Sequence, residues 1–404
     1  GYVQWAVADR LPPEVKAMIP QVTESALTLE FLRKDGLSLE TPFGWGVQVD
    51  DQEHRFAMLR GLLGGRKQRR ALSTLPLSGA DVAVTGHRVP YIQDIIAHDA
   101  DAPRWAGFDH RERVAQVSVP VSSVGGWYDI FLAGQLRDFQ ILQDAGRSPR
   151  LTVGPWTHKN FDGTAVREAV EFGLAHARAQ EPPKRAAVRL YVMGEEAWRD
   201  FEQWPPKGYA PQRFYLQPVG ALSTQPPSES APDLYHYNPA DPTPAVGGVR
   251  MTGDSGRVDN TKLEARADVL TYTTAALEDD VEVIGEVSAQ IWFRSSRPYA
   301  DVFVRLCDVD PRGRSYNVCD GLVSLTGADE ISCATVQLWP TAYRFKRGHR
   351  IRVQVSSGAF PRYARNPGTG EPHGTAATLL PAVQAVYHDP THPSAVIVSV
   401  KAAS

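Results

Sequence analysis

Val117-Ser118-Val119-Pro120-Val121-Ser122-Ser123-Val124-Gly125-Gly126-Trp127-Tyr128-Asp129 is the stretch on which the fold turns. Its β-branched run predicts a strand over 117–124, closed by a Gly-Gly turn. Next, Phe131, Leu132, Leu136, Phe139 and Leu142 recur at helical spacing, and Gly146 follows as a C-cap signal. Arg150-Leu151-Thr152-Val153 is the next strand, closed by Gly154-Pro155. A second amphipathic helix is predicted over 165–180 and a third strand over 188–193. Strand and helix alternating at this spacing predict a mostly parallel, doubly wound sheet.

Upstream of this unit, the chain reads as a short helix, a Pro12-Pro13 break and a brief buried strand from Val15 to Ile19. Between about 24 and 101 the texture changes. Leu27, Leu29, Phe31 and Leu32, then Phe56, Leu59, Leu62 and Leu63, recur among charges at mixed helical spacings, which predicts a helical insertion. Downstream of about 218 the pattern becomes all-β. Val287, Ala289, Ile291 and Phe293 alternate with polar neighbours, as do Ile351, Val353 and Val355. Residues 234–237, 302–306, 336–339 and 396–400 add further strands, and turn residues separate them. Such a series predicts a β-sandwich of jelly-roll type. The expected organisation is a partial α/β sheet from 1–23 and 102–217, a helical cap at 24–101 and a jelly roll at 218–404.

The chain's 404 residues suit two to three folding units. With 42% hydrophobic and 22% charged residues, the composition is that of a globular protein and excludes whole-chain disorder or coiled coil. A formal charge of −3 carries no footprint for nucleic acid or an anionic membrane surface. Three cysteines without a CxxC pair argue against a disulfide framework or a cysteine zinc site. No run of 18 apolar residues is present, so no membrane span is expected. Gly1-Tyr2-Val3-Gln4-Trp5 has neither an initiator Met nor a basic leader, and the chain is expected to be part of a longer one. Localisation therefore stays open, with the cytoplasm favoured.

Two loops at strand ends carry the best chemistry: Gly125-Gly126-Trp127-Tyr128-Asp129 and Gly154-Pro155-Trp156-Thr157-His158. Ligands of open parallel sheets sit outside the carboxyl ends of the strands. Adjacent strand ends would bring the Asp129 carboxylate to the His158 imidazole. A carboxylate on one ring nitrogen fixes the tautomer and leaves the other nitrogen as a general base. Taken singly, an Asp after Gly-Gly suits a turn, and a lone His suits a surface or core position. Their joint placement, Asp before His in chain order, is the α/β-hydrolase arrangement. Trp127 and Trp156 would wall an acyl pocket there, or pack beneath the loops.

These two segments, Gly125 to Phe131 and Val153 to His158, resemble the family of cocaine esterases, acyl hydrolases and Xaa-Pro dipeptidyl-peptidases. In the β-rich half, Asp268 to Thr274, Val283-Ile284-Gly285, Val304 to Ser315, Cys319-Asp320-Gly321 and Gly348 to Ser357 are similar to that family's C-terminal jelly roll. The resemblance implies a serine hydrolase acting on an ester or amide small molecule, with Asp129 and His158 as two members of a triad and no cofactor or metal. It places Phe131 at a pocket position and Met251 where the jelly roll closes the pocket. In the family the nucleophile lies in a Gly-x-Ser-Tyr-x-Gly elbow. Gly1 matches its last glycine, so the serine is expected three positions ahead of residue 1 and the 404 residues alone are expected to be inactive. Ser122 and Ser123 fall in a strand and Ser356-Ser357 in the jelly roll, so none replaces it.

The remaining signals are weaker. Gly61 to Arg70 is not a phosphate loop, because the Gly-x4-Gly-Lys-Ser/Thr spacing and a preceding strand are both missing. His388 and His392 are four apart, but Pro390 and Pro393 forbid a regular helix and a helical zinc pair. Asp99 and Asp101 suit either a loop or a contact to a substrate ammonium. An inactive ligand- or carbohydrate-binding protein built on the jelly roll is the competing class, and a homodimer is left open.

Overall fold

The computed structural model describes residues 1–27, 36–52, 65–98 and 102–402. Leu29, Phe31, Leu32, Phe56, Leu59, Gly61 to Gly64, Asp99 and Asp101 lie outside the described residues. Helix α1 (Tyr2–Ala6) enters from Gly1 and buries Trp5. The segment after it runs parallel to the strand-forming stretch near 121, with Met18 opposite Val121 and Gln21 opposite Val124. The cap region contributes α2 (Glu40–Asp51), α3 (Ala80–Thr85) and α4 (Pro90–Ala97). Phe43, Leu72, Ile92 and Ile95 pack these helices into a core of their own.

The sheet follows as β1 (Ser122–Tyr128), α5 (Leu132–Asp144), β2 (Arg150–Thr157), α6 (Gly163–Ala177), β3 (Val188–Val192) and β4 (Ala197–Phe201). Strands β1, β2 and β3 are parallel, and β4 closes the edge antiparallel to β3. Helix α5 ends as the sequence indicates. Gly146 takes φ +71°, and the Arg147 N–H reaches back to the Leu142 carbonyl at 3.0 Å.

One expectation is corrected here. Gly125-Gly126 and Gly154-Pro155 do not close their strands but lie inside β1 and β2, which run on to Tyr128 and Thr157. The glycines answer a packing demand. A Cβ on Gly126 would lie 2.4 Å from the Trp156 carbonyl oxygen, and one on Gly154 would lie 2.4 Å from the Trp156 ring.

The remainder is a β-sandwich of eleven strands among the described residues. They are β5 (Tyr209–Gln217), β6 (Ala221–Ser223), β7 (Asp233–Tyr237), β8 (Leu270–Thr273), β9 (Val281–Ser295), β10 (Tyr299–Val309), β11 (Ser315–Thr326), β12 (Ser332–Phe345), β13 (Arg350–Ser356), β14 (Ala382–Tyr387) and β15 (Ala395–Lys401). The period-2 reading holds: Val287, Ala289, Ile291 and Phe293 of β9 are all fully buried. Strand β5 pairs with β15 in the sandwich, so the chain leaves the parallel sheet at 202–208, ahead of the expected passage near 218.

The parts are stitched together by backbone bonds. The Met193 N–H donates to the Ala342 carbonyl at 2.9 Å, and the Arg344 N–H donates to the Met193 carbonyl at 2.8 Å, joining the end of β3 to β12. The cap is joined at its entry, where Leu39 N–H donates to the Arg362 carbonyl and Ala364 N–H to the Leu37 carbonyl, both at 2.8 Å. No described helix is long and apolar enough to cross a membrane.

Candidate active site

Strands β1 and β2 are parallel neighbours with Gly126 opposite Gly154 and Tyr128 opposite Thr157, so the next residues of each strand emerge side by side. Asp129 follows Tyr128, and His158 follows Thr157. The His158 Nδ1 lies 2.8 Å from Asp129 Oδ2. A carboxylate only accepts, so Nδ1 carries the proton in this pair. Asp129 Oδ1 accepts the Phe131 N–H at 2.8 Å, which also shapes the turn into α5. The carboxylate is fully buried, while the imidazole is partly open to solvent. The Phe131 ring meets the His158 ring edge-on at 5.4 Å between centroids. None of the hydrogen bonds found among the described residues engages His158 Nε2, the nitrogen turned away from Asp129.

Three of the expected site residues are therefore together: Asp129, His158 and Phe131. The two tryptophans are placed elsewhere. Trp127 is buried in the main core against Trp204, and its indole N–H donates to the Tyr191 carbonyl at 2.7 Å. Trp156 is buried with Val124 and Ala165 and packs on Trp198 and Phe161. Both act as supports under the loops: each tryptophan lies inside its strand, whereas Asp129 and His158 stand just past the strand ends at Tyr128 and Thr157, where the alternation of the pleat no longer sets the side-chain direction.

Met251 is half-buried on a small hairpin of the sandwich, in which Gly248 and Gly256 exchange both backbone hydrogen bonds at 2.8 and 2.9 Å. Gly256 takes φ +91°, and a methyl there would touch Thr157. The hairpin thus lies against the strand end that carries His158. Asn317 holds its base by donating to the Gly256 carbonyl at 2.9 Å, and Tyr128 donates in turn to the Asn317 carbonyl at 3.2 Å.

A buried charge group was not legible in the sequence. Arg250 sends Nε and Nη2 to the two oxygens of Glu40, each at 2.8 Å, and Nη1 to Asp254 at 2.7 Å. Burial pushes the guanidinium pKa down, but Glu40 and Asp254 outweigh it and hold the charge on. Beneath the hairpin, Asp320 is shared by Arg305 and Arg362, and the two guanidiniums outweigh burial to keep its carboxyl below the usual range. Glu40 and Arg250 stand 210 residues apart, so no spacing rule reaches them. No described group of three or more His, Cys, Asp or Glu side chains has the arrangement of a metal site.

The chain is similar to known proteins along nearly its whole length. Residues 1–160 match the family described as X-Pro dipeptidyl-peptidase (S15 family), and residues 179–397 match the X-Pro dipeptidyl-peptidase C-terminal non-catalytic domain. Cocaine esterase of Rhodococcus sp. (strain MB1 Bresler) is 32% identical over 460 aligned residues, covering 99% of this chain and 79% of that protein. A putative serine esterase of Mycobacterium bovis is 26% identical over 302 residues, 61% of this chain and 46% of that one. Among solved structures, an aminopeptidase from a marine sediment Thaumarchaeota archaeon superposes with a TM-score of 0.85 at 21% identity, over 99% of this chain and 74% of that one. An α-amino acid ester hydrolase does so with a TM-score of 0.81 at 20% identity, over 99% and 75%. At those identities the structures speak for the fold alone.

Proposed function

The chain belongs to the X-Pro dipeptidyl-peptidase and cocaine esterase family of α/β-hydrolases, which makes it a serine hydrolase of esterase or peptidase type, and from that premise we propose how its residues divide the work. Asp129 orients and His158 transfers the proton. The observation that carries this is the 2.8 Å contact between them at adjacent parallel strand ends.

His158 Nε2 accepts the proton of a serine hydroxyl as its oxygen attacks the carbonyl of an ester or amide. Asp129 stabilises the imidazolium that results. The imidazolium then returns the proton to the leaving alcohol or amine, the C–O or C–N bond breaks, and the acyl group stays on the serine. Water, deprotonated by the same imidazole, cleaves the acyl-serine and restores both groups. Phe131 contributes an apolar wall beside His158.

The proposed nucleophile is the serine of an elbow whose last glycine is Gly1. Gly1 supports this reading by its place at the start of α1, packed so closely on Thr23 that a Cβ there would clash at 2.5 Å. The 404 residues then supply the Asp–His half of the machinery, and turnover is expected from the polypeptide that also carries the elbow.

The test pairs fluorophosphonate labelling with hydrolysis of p-nitrophenyl esters and Xaa-Pro amides, on the 404 residues and on the natural full-length gene product. Labelling and turnover confined to the longer protein support the proposal. A labelled serine within the 404 residues, whose mutation abolishes turnover, would overturn the assignment of the nucleophile. A full-length protein inert to both substrate classes would favour a ligand-binding role instead.

A further inference from the structure

The two halves of the Asp–His pair are held unequally. Asp129 sits in a closed turn: its N–H donates to the Gly126 carbonyl at 3.0 Å, and its carbonyl accepts the Leu132 N–H at 3.2 Å. His158 leaves β2 through a looser turn, whose Asn160 N–H reaches the Thr157 carbonyl at 3.4 Å. Firmness on the histidine side has a second source, in the sandwich. Gly256 of the hairpin stands against both preceding residues: a Cβ there would lie 3.5 Å from Thr157 Cγ2 and 4.0 Å from Tyr128 Cδ2. Tyr128 and Thr157 are themselves register partners across β1 and β2.

Asn317 of β11 grips this arrangement with three groups. Its Nδ2 donates to the Gly256 carbonyl at 2.9 Å, its Oδ1 accepts the Val258 N–H at 2.8 Å, and its backbone carbonyl accepts the Tyr128 hydroxyl at 3.2 Å. Oδ1 also accepts from Asn260 Nδ2 at 3.2 Å, and the Asn260 carbonyl oxygen is held by Arg305 Nη1 at 2.6 Å. The grip therefore ends on the sandwich core and not on a free loop. Asn317 and Tyr128 are both buried, and burial raises the Tyr128 phenol pKa, so its O–H stays a donor.

On the hydrolase reading above, we infer that Asn317 is a positioning residue for His158: it holds the hairpin against Thr157 and the Tyr128 hydroxyl in place beside it, and so fixes where β2 ends relative to β1. The 2.8 Å contact between His158 and Asp129 then depends on a side chain of the sandwich. A pair that must keep its geometry while a proton moves gains most from such backing, because small displacements of a reacting group are costly in rate. The bond to Tyr128 separates this role from bracing the hairpin alone, since it ties the same asparagine to the strand that carries Asp129.

Asn317→Ala in the full-length protein removes the side-chain bonds and leaves the carbonyl for Tyr128. Below the melting temperature, kcat for p-nitrophenyl acetate should fall about tenfold, with KM changed less than about twofold. A folded variant whose kcat is unchanged, or whose loss falls on KM, overturns the inference. A double-mutant cycle gives the readout that lost stability would not move. With Asp129→Asn already in place the histidine has lost the partner it is positioned against, and adding Asn317→Ala should lower kcat by less than about a further twofold. An undiminished loss in that background refutes the role. If Asn317→Ala fails to fold, Tyr128→Phe removes the other bond at the cost of one oxygen atom. It should lower kcat about threefold, and an unchanged kcat refutes the role equally. If the unaltered protein hydrolyses no ester, the hydrolase reading has failed, and amide hydrogen exchange decides the clamp by itself. Asn317→Ala, or Tyr128→Phe in its place, should then speed exchange at 157–160 as well as in the hairpin at 248–256. Acceleration confined to the hairpin, or none, refutes it.

Discussion

Asp129 spends its two oxygens on two fixed donors, the Phe131 N–H and the His158 ring. Asp129→Asn would keep one carbonyl oxygen for Phe131 and turn an amide N–H toward Nδ1. The ring proton would then move to Nε2, where the general base must be bare. We expect kcat on esters in the full-length protein to fall about 10⁴-fold at neutral pH, with the melting temperature nearly unchanged. A loss below tenfold would remove Asp129 from the mechanism. A second carboxyl makes a different prediction. Asp301 is fully buried, and burial pushes its pKa up to about 6 despite hydrogen bonds from Asn366 and Ser324, each at 2.8 Å. In the unfolded chain an Asp titrates near 4. Between about pH 4 and 6 the unfolded state has therefore released a proton that the folded state still holds, so stability falls as pH rises through that window. The rise from near 4 to about 6 corresponds to about 3 kcal/mol. Asp301→Asn imitates the protonated form and should remove this component from denaturant midpoints measured between pH 4 and 6.5. Parallel pH curves for the two proteins would refute it.

At the scale of elements, the site depends on how closely β1 and β2 approach at their ends. Gly126 faces the Trp156 carbonyl, which belongs to the backbone and has little room to yield. Gly126→Ala should destabilise the protein by about 1–3 kcal/mol through overpacking and separate the two strand ends, so activity should fall more than stability alone accounts for. Thermal melts beside ester assays below the melting point would show it, and a fully active variant would refute it. This contact also shows where sequence reading stops. The order of strands and helices was legible because β-branched runs and 3.6-residue spacing are local, and Asp129 and His158 were legible because they stand directly after such runs. The glycines looked like turn residues because a turn is the local reason for Gly-Gly. The actual reason for Gly126 is a tryptophan thirty residues away, and for Gly125 it is the Gln135 side chain of α5. Tyr209–Gln217 has no local feature that reveals β15 as its partner, so its place in the sandwich had to come from pairing. Arg250 and Glu40 carry no spacing signal, because their partnership exists only after cap and sandwich have met.

For the molecule as a whole, the question is whether sheet and sandwich are one cooperative unit. Interfaces between parts of a chain are commonly modest and polar, which permits relative motion. Here one continuous set of buried side chains runs from Trp127, Leu132 and Phe139 through Leu151 and Leu190 into Val287, Ile291 and Val353. Backbone bonds extend β3 onto β12 through Met193, and no flexible Gly/Ser linker separates β4 from β5. Trp204 stands at that passage, fully packed, 6.1 Å from the Trp127 ring. Neither part can unfold without uncovering apolar surface of the other, so calorimetry should show a single transition, and β2 and β13 should share one hydrogen-exchange opening energy. Trp204→Ala tests the coupling directly. Removing the indole should cost about 3–5 kcal/mol and lower that single transition without splitting it. Two resolved transitions, or a change confined to exchange in one sheet, would show that the sandwich stands alone.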